Sequence, residues 1–197
     1  MSQHCQQLHE YIKTLPRYHF PFNPDDICQN GIYILFEKNE HGHGGDRIVR
    51  VGTHTGQNQL AQRLMEHFVK ENKNRSIFRK NIGRVFLNQT NDDYLKIWNL
   101  DLTSKKNRNA FQHLVNEMFQ KQLEQQISDC LRANFSFSII EVQDEKRRLE
   151  LEKQLIQIVS SCEECGPSQT WLGNHSPVKK IRQSGLWQTQ HVKTKKT

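Results

Sequence analysis

Four residues of this 197-residue chain have side chains suited to cutting a phosphodiester bond. Tyr33 and His67 can take or give protons, Arg63 can bind phosphate, and Glu152 can hold a hard divalent cation. Tyr33 ends the run Gly31-Ile32-Tyr33, and a second short run, Arg50-Val51-Gly52, precedes the stretch that carries Arg63 and His67. Residue types in this order suit metal-assisted cleavage of a phosphodiester.

Such side chains work only if the backbone positions them. Gly31 to Glu37 is rich in strand formers, with Ile32, Ile34 and Phe36 on one face and Tyr33 and Leu35 on the other. Arg47 to Gly52 is a second strand, and the polar, glycine-rich run from Asn39 to Asp46 joins the two as a hairpin with a long loop. Between Asn58 and Glu71, Leu60, Leu64 and Phe68 recur every four positions, which predicts an amphipathic helix. Arg63 and His67 are also four apart, so they stack on one face beside that apolar stripe. A later helix from Asp144 to Ser160 aligns Leu149, Glu152, Ile156 and Val159. A carboxylate in such a lane costs free energy unless a metal ion or an arginine compensates it.

The remaining pattern supplies the frame. A helix over Gln3 to Leu15 stops at Pro16 and the run Phe20-Pro21-Phe22-Asn23-Pro24. Arg84 to Leu87 and Tyr94 to Leu100 read as short strands. Asn107 to Leu131 reads as one long helix with Phe111, Leu114, Val115, Met118, Phe119, Leu123 and Ile127 inward. Phe135 to Val142 is a further strand, and two tryptophan-bearing runs, Trp171 to Pro177 and Ser184 to Trp187, read as ordered turns.

Length and composition suit one domain with a small core, since only 35% of residues are hydrophobic. The net charge of +7 is unevenly placed. Beyond Pro177, Lys179, Lys180, Arg182, Lys193, Lys195 and Lys196 meet no acidic residue. A second basic patch holds Lys70, Lys73, Arg75, Arg79, Lys80 and Arg84 against Glu71 alone. Localised positive charge favours phosphate backbones. Met1 to Glu10 is polar with no apolar run after it, and no run is long enough for a membrane span, so a cytoplasmic protein without a membrane partner is expected. Five scattered cysteines fit reduced thiols better than a disulfide framework.

In order and spacing the chain resembles the GIY-YIG nuclease superfamily. The resemblance rests on Gly31-Ile32-Tyr33, on Arg50-Val51-Gly52 in the place of the second motif, on Arg63 and His67, and on Glu152 with Leu155 and Ile156. It covers about Asn30 to Phe68 and Phe135 to Asn174. It implies an α/β fold of the α+β type, a small three-stranded antiparallel sheet flanked by helices, with a helical insertion at about 84–134. The organisation expected is a helix and leader over 1–29, the nuclease-like domain over 30–177 and a basic segment over 178–197.

The resemblance also implies hydrolysis of DNA, most simply double-stranded, with one Mg2+ or Mn2+ held by Glu152. Tyr33 is then a general base or a water-orienting phenol, Arg63 stabilises charge on the phosphate, and His67 binds phosphate or relays a proton. A free phenol titrates at about pH 10, so the chemistry needs nearby cations. Lys70, Lys73, Arg75, Arg79, Lys80, Lys179 and Lys180 are the expected DNA contacts, and Asn174 is either an ordering residue for the site or a turn residue. The departure is Arg50, where the family usually has tyrosine, with His54 placed to fill part of the vacated space. Either the site works with one tyrosine or the chain binds nucleic acid without cleaving it.

Two other features compete for attention. Cys162-Glu163-Glu164-Cys165 has the spacing of half a zinc site or a redox motif, with His175 and His191 as candidates to complete it. His41-Gly42-His43-Gly44-Gly45 has residues that could bind adventitious metal, and a solvated loop explains it more simply.

Overall fold

In the computed structural model, which describes residues 2–193, helix α1 (Ser2–Lys13) leads to a two-residue strand β1 (Tyr18–His19) and the long hairpin β2 (Gly31–Gly42) and β3 (Gly45–Gly52). Five helices follow: α2 (Leu60–Phe68), α3 (Ile77–Gln89), α4 (Tyr94–Trp98), α5 (Lys105–Phe111) and α6 (Glu117–Asn134). Strand β4 (Phe135–Glu141), α7 (Glu145–Ser160) and α8 (Lys179–Ser184) complete the order. The fold is α+β, with one antiparallel sheet in the order β1-β4-β2-β3. Three long strands make up the sheet, as expected, and β1 adds a fourth, short edge.

Strand β2 is central, pairing with β3 on one side and β4 on the other. It is buried from Gly31 to Glu37 because both of its faces are covered by helices. Tyr33 and Leu35 face α2, α3 and α6, in a core with Leu60, Leu64, Phe78, Ile82, Ile127 and Leu131. Ile32, Ile34 and Phe36 face α1 and α7, packing with Leu8, Ile12, Leu155 and Val159. Alternation along one strand therefore assigns each side chain to one of two cores.

Several expected elements differ. The polar run from Asn39 to Asp46 is not a long loop. Both strands continue through it to a two-residue turn at His43 and Gly44, whose φ values of 48° and 67° match the twist of a hairpin. Its polar residues are used internally, since the Arg47 Nε–H donates to Glu40 Oε2 at 2.7 Å in a buried pair.

Arg84 to Leu87 and Tyr94 to Leu100 are helical rather than extended. Ser76 caps α3 by accepting from the Arg79 N–H, and Phe78, Ile82 and Val85 bury at helical spacing. The long helix expected over 107–131 breaks at Gln112–Leu114, and Asn116 recaps the chain at the start of α6. Phe111, Leu114 and Met118, expected inside, are exposed at 38%, 45% and 75%.

The segment beyond residue 177 is packed for most of its described length. Ile181, Leu186 and Trp187 are buried, and the Trp187 N–H donates to the Val49 carbonyl at 2.8 Å. This covers the free edge of β3. Lys195 and Lys196 lie outside the described residues. Among the described residues, no helix is long and apolar enough to cross a membrane.

Candidate active site

Tyr33 sits opposite Gly52 in the β2–β3 ladder, and its ring lies across that glycine. A Cβ at Gly52 would stand 2.2 Å from the Tyr33 hydroxyl oxygen and 2.4 Å from Cζ. The two short glycine-bearing runs are thus one device, in which the second supplies the space that the tyrosine of the first occupies. Gly31 has a similar role, since a Cβ there would meet the Ile140 carbonyl oxygen at 2.7 Å.

The Tyr33 oxygen is 2.8 Å from His67 Nε2, and the Arg50 Nε–H donates to it at 3.4 Å. Arg63 lies close enough to interact with it electrostatically. His67 is fully buried, and burial together with the charges of Arg63, Arg50 and Arg79 pushes its pKa well below the usual imidazole value, so the ring is neutral. Its Nδ1 is 2.7 Å from Ser76 Oγ, which already accepts from the Arg79 N–H. If the Ser76 hydroxyl donates to Nδ1, the His67 Nε2–H donates to a deprotonated Tyr33 oxygen; in the other tautomer the Tyr33 O–H donates to Nε2 and Nδ1–H donates to Ser76. In the first arrangement the Tyr33 oxygen accepts from His67 and Arg50.

This geometry corrects one expectation for His67. At 0% exposure it cannot touch phosphate, and it acts only through Tyr33. It also gives Arg50 a place: its guanidinium bonds to the Tyr33 hydroxyl and to the Trp187 carbonyl, over the ring of Phe78.

Tyr33, Arg50, Arg63 and Glu152 line one cleft of about 610 Å³. Arg63 NH1 is anchored to Glu66 at 3.0 Å and to the Arg75 carbonyl at 2.7 Å. Glu152 is half-buried on α7, beside Leu149, which is 41% exposed. The lane containing both residues therefore opens onto the cleft, and only its far end, Ile156 and Val159, enters the core. Burial raises the Glu152 pKa, against opposing effects of Arg50, His191, the Thr53 backbone and Arg63. Among the described residues the Glu152 carboxylate has no ion-pair partner within 4.0 Å. A single unpaired carboxylate in a polar cleft fits a magnesium or manganese ion that keeps water in most of its positions.

His54 also lines this cleft. It is 5% exposed, neither ring nitrogen has a hydrogen-bond partner, and burial followed by the charge of Arg148 lowers its pKa. It remains in the cleft wall, while Arg50 occupies the position next to Tyr33. Gln190 and His191 reach the same cleft from the C-terminal segment. The sequence reads Ser184 to Trp187 as an ordered turn, and the residues after it were given no place in this cleft.

The basic patch divides. Arg79 is fully buried, paired with Glu124 at 2.7 Å and bonded to Ser128 and the His67 carbonyl. Lys73 and Lys80 are buried and spend their ammonium groups on the carbonyls of Asn99 and Leu100 at the end of α4. These three are structural cations, not phosphate contacts. Lys70 and Arg75 are exposed, and Arg75 lines the cleft. Lys179 and Lys180 are exposed on α8, outside the cleft lining. Asn174 donates to the carbonyls of Ser168 and Gln169, which makes it a turn residue remote from Glu152's cleft.

A family model described as a GIY-YIG domain matches residues 4–197. No match was found among curated proteins or among solved structures.

Proposed function

The chain belongs to the GIY-YIG domain family, whose function is of the nuclease type, and from that premise we propose that it is a divalent-metal-dependent endonuclease acting on double-stranded DNA in the cytoplasm. The observation that carries this reading is the convergence of His67 and Arg50 on the Tyr33 oxygen, in the same cleft as Arg63 and the unpaired carboxylate of Glu152.

Two hydrogen-bonding groups at one oxygen, with the Arg63 charge nearby, suit negative charge there. In its deprotonated form Tyr33 takes the proton of a water molecule as that water attacks phosphorus, and the bond to the leaving oxygen breaks with that oxygen taking a proton from solvent. Arg63, which lines the cleft with Tyr33, binds the phosphate and meets the charge that builds on it. His67 and Arg50 are positioning residues: they orient the phenol and touch no substrate. His54 stands in the cleft wall with both ring nitrogens buried, so it does not touch the phosphate. A magnesium or manganese ion held by Glu152 would supply neutralisation of the phosphate and of the leaving oxygen.

Arg50 is the reason to keep a binding-only reading in view, because it stands where the family usually has a second tyrosine. The structure supports activity instead, since Arg50 bonds to the remaining phenol. Tyr33→Phe keeps the ring and removes the oxygen. It should lower single-turnover nicking by about 10²- to 10⁴-fold, the usual worth of a positioned acid or base, while DNA affinity is unchanged. Parental nicking by that variant would remove Tyr33 from the mechanism. Salt-sensitive DNA binding without nicking by the parent would establish the binding-only reading.

A further inference from the structure

The hairpin turn, α1 and the chain after α7 meet on the face of the sheet away from Tyr33, where Cys5, His9, His43 and Cys165 bring one donor atom each to within 4.8 Å of one another. None of the four lines the nuclease cleft. Cys5 and His9 stand one helical turn apart on α1. All four side chains are no more than 5% exposed.

The separations suit one tetrahedral ion. Thiolates bound at about 2.3 Å to a tetrahedral zinc lie about 3.8 Å apart, and Cys5 Sγ and Cys165 Sγ are 3.8 Å apart. That distance is far beyond a disulfide bond. Gly42 makes room for this approach, since a Cβ there would stand 2.9 Å from Cys165 Sγ.

The histidines are oriented as metal ligands usually are. His9 Nδ1 donates to the Cys5 carbonyl at 2.9 Å, which leaves Nε2 bare and 3.9 Å from Cys165 Sγ. His43 Nδ1 faces the Glu164 carboxylate at 3.4 Å, the carboxylate–histidine pairing that fixes a ligand's free nitrogen. Cys162 lies beside His43, 3.3 Å from Nε2, and outside the set of four.

We propose that Cys5, His9, His43 and Cys165 form a structural zinc site, separate from the nuclease centre, that pins α1 and the end of α7 to the hairpin turn. Two thiolates and two imidazoles select zinc over magnesium or calcium, and four protein ligands leave no open position for catalysis. The expected half-site at Cys162 and Cys165 is thus completed by other partners: His175 is exposed and His191 lies in the nuclease cleft.

The test is metal analysis of the full chain purified without added metal, together with spectra after exchange with cobalt(II). The expected result is about one zinc per chain, retained in Cys162→Ser and lost in Cys165→Ser. The cobalt-exchanged parent should show thiolate charge-transfer absorption and the intense visible bands of tetrahedral cobalt. Should the serine variant fail to fold, the parent's zinc content and cobalt spectrum still decide the matter. Far less than one zinc with no cobalt–thiolate absorption would overturn the proposal, as would a Cys5–Cys165 disulfide in freshly purified protein. Loss of zinc in Cys162→Ser with retention in Cys165→Ser would overturn the ligand assignment.

Discussion

Gly52→Ala tests whether the second glycine run exists to seat the catalytic phenol. The added methyl would lie 2.2 Å from the Tyr33 oxygen, 2.4 Å from Cζ and 2.9 Å from Cε2. Ordinary contacts between carbon atoms lie at about 3.5–4.0 Å, so the ring must retreat by on the order of 1 Å. The 2.8 Å contact to His67 and the 3.4 Å contact from Arg50 then pass beyond hydrogen-bonding range. Overpacking of this kind costs about 1–3 kcal/mol of stability, which leaves a typical domain folded. A displacement of about 1 Å at a reacting group costs about 10²-fold in rate.

The assay is single-turnover nicking at saturating protein, which reads chemistry rather than affinity, alongside thermal unfolding and DNA binding. Gly166→Ala is the control, because a Cβ there meets nothing within 4 Å. Folded Gly52→Ala protein that nicks within a few-fold of the parent would refute the reasoning, since it would mean that the position of the phenol is immaterial.

The other predictions concern charge. Burial raises the Glu152 pKa in the folded state, so its contribution favours folding at low pH and is lost as pH rises through the raised value. Glu152→Gln should therefore melt at a higher temperature than the parent at neutral pH in magnesium-free buffer, with the gain vanishing in acid. A lower melting temperature at neutral pH would contradict the desolvation argument. Arg75, exposed at the cleft rim, should reduce the slope of log affinity against log salt by about 1 when changed to alanine. Lys80→Ala should leave that slope alone and cost about 1–3 kcal/mol through the carbonyls it abandons.

What could be read from the sequence depended on whether a residue's partners were local. Leu60, Leu64 and Phe68 fix the phase of α2 by themselves, and with it the placement of Arg63 and His67. Glycine runs and strand alternation likewise fixed the face on which Tyr33 lies. Arg79 looked like a phosphate contact because its partner, Glu124, is distant in sequence and nothing local marks the pairing. The Asn39 to Asp46 run looked like a loop because it is polar and glycine-rich, yet Glu40 within it is satisfied by Arg47 inside the structure. Val85, Phe86 and Leu87 have strand-like composition, but the Ser76 cap and the fit of Gly83 against Trp98 decide for helix. The cluster of Cys5, His9, His43 and Cys165 draws on three separated segments, and only Cys165, through its Cys-x-x-Cys run with Cys162, was marked locally.

The central claim is that this cleft hydrolyses DNA with a divalent cation held by Glu152. It is tested most directly by incubating the parent and Glu152→Ala proteins with supercoiled plasmid in magnesium, in manganese, in chelator, and in chelator followed by excess magnesium. The predicted result is nicking by the parent in either metal, none in chelator, recovery with magnesium alone, and no nicking by Glu152→Ala at undiminished DNA binding. Nicking by Glu152→Ala at the parental rate, or a parent that binds plasmid but nicks it in neither metal, would contradict the account.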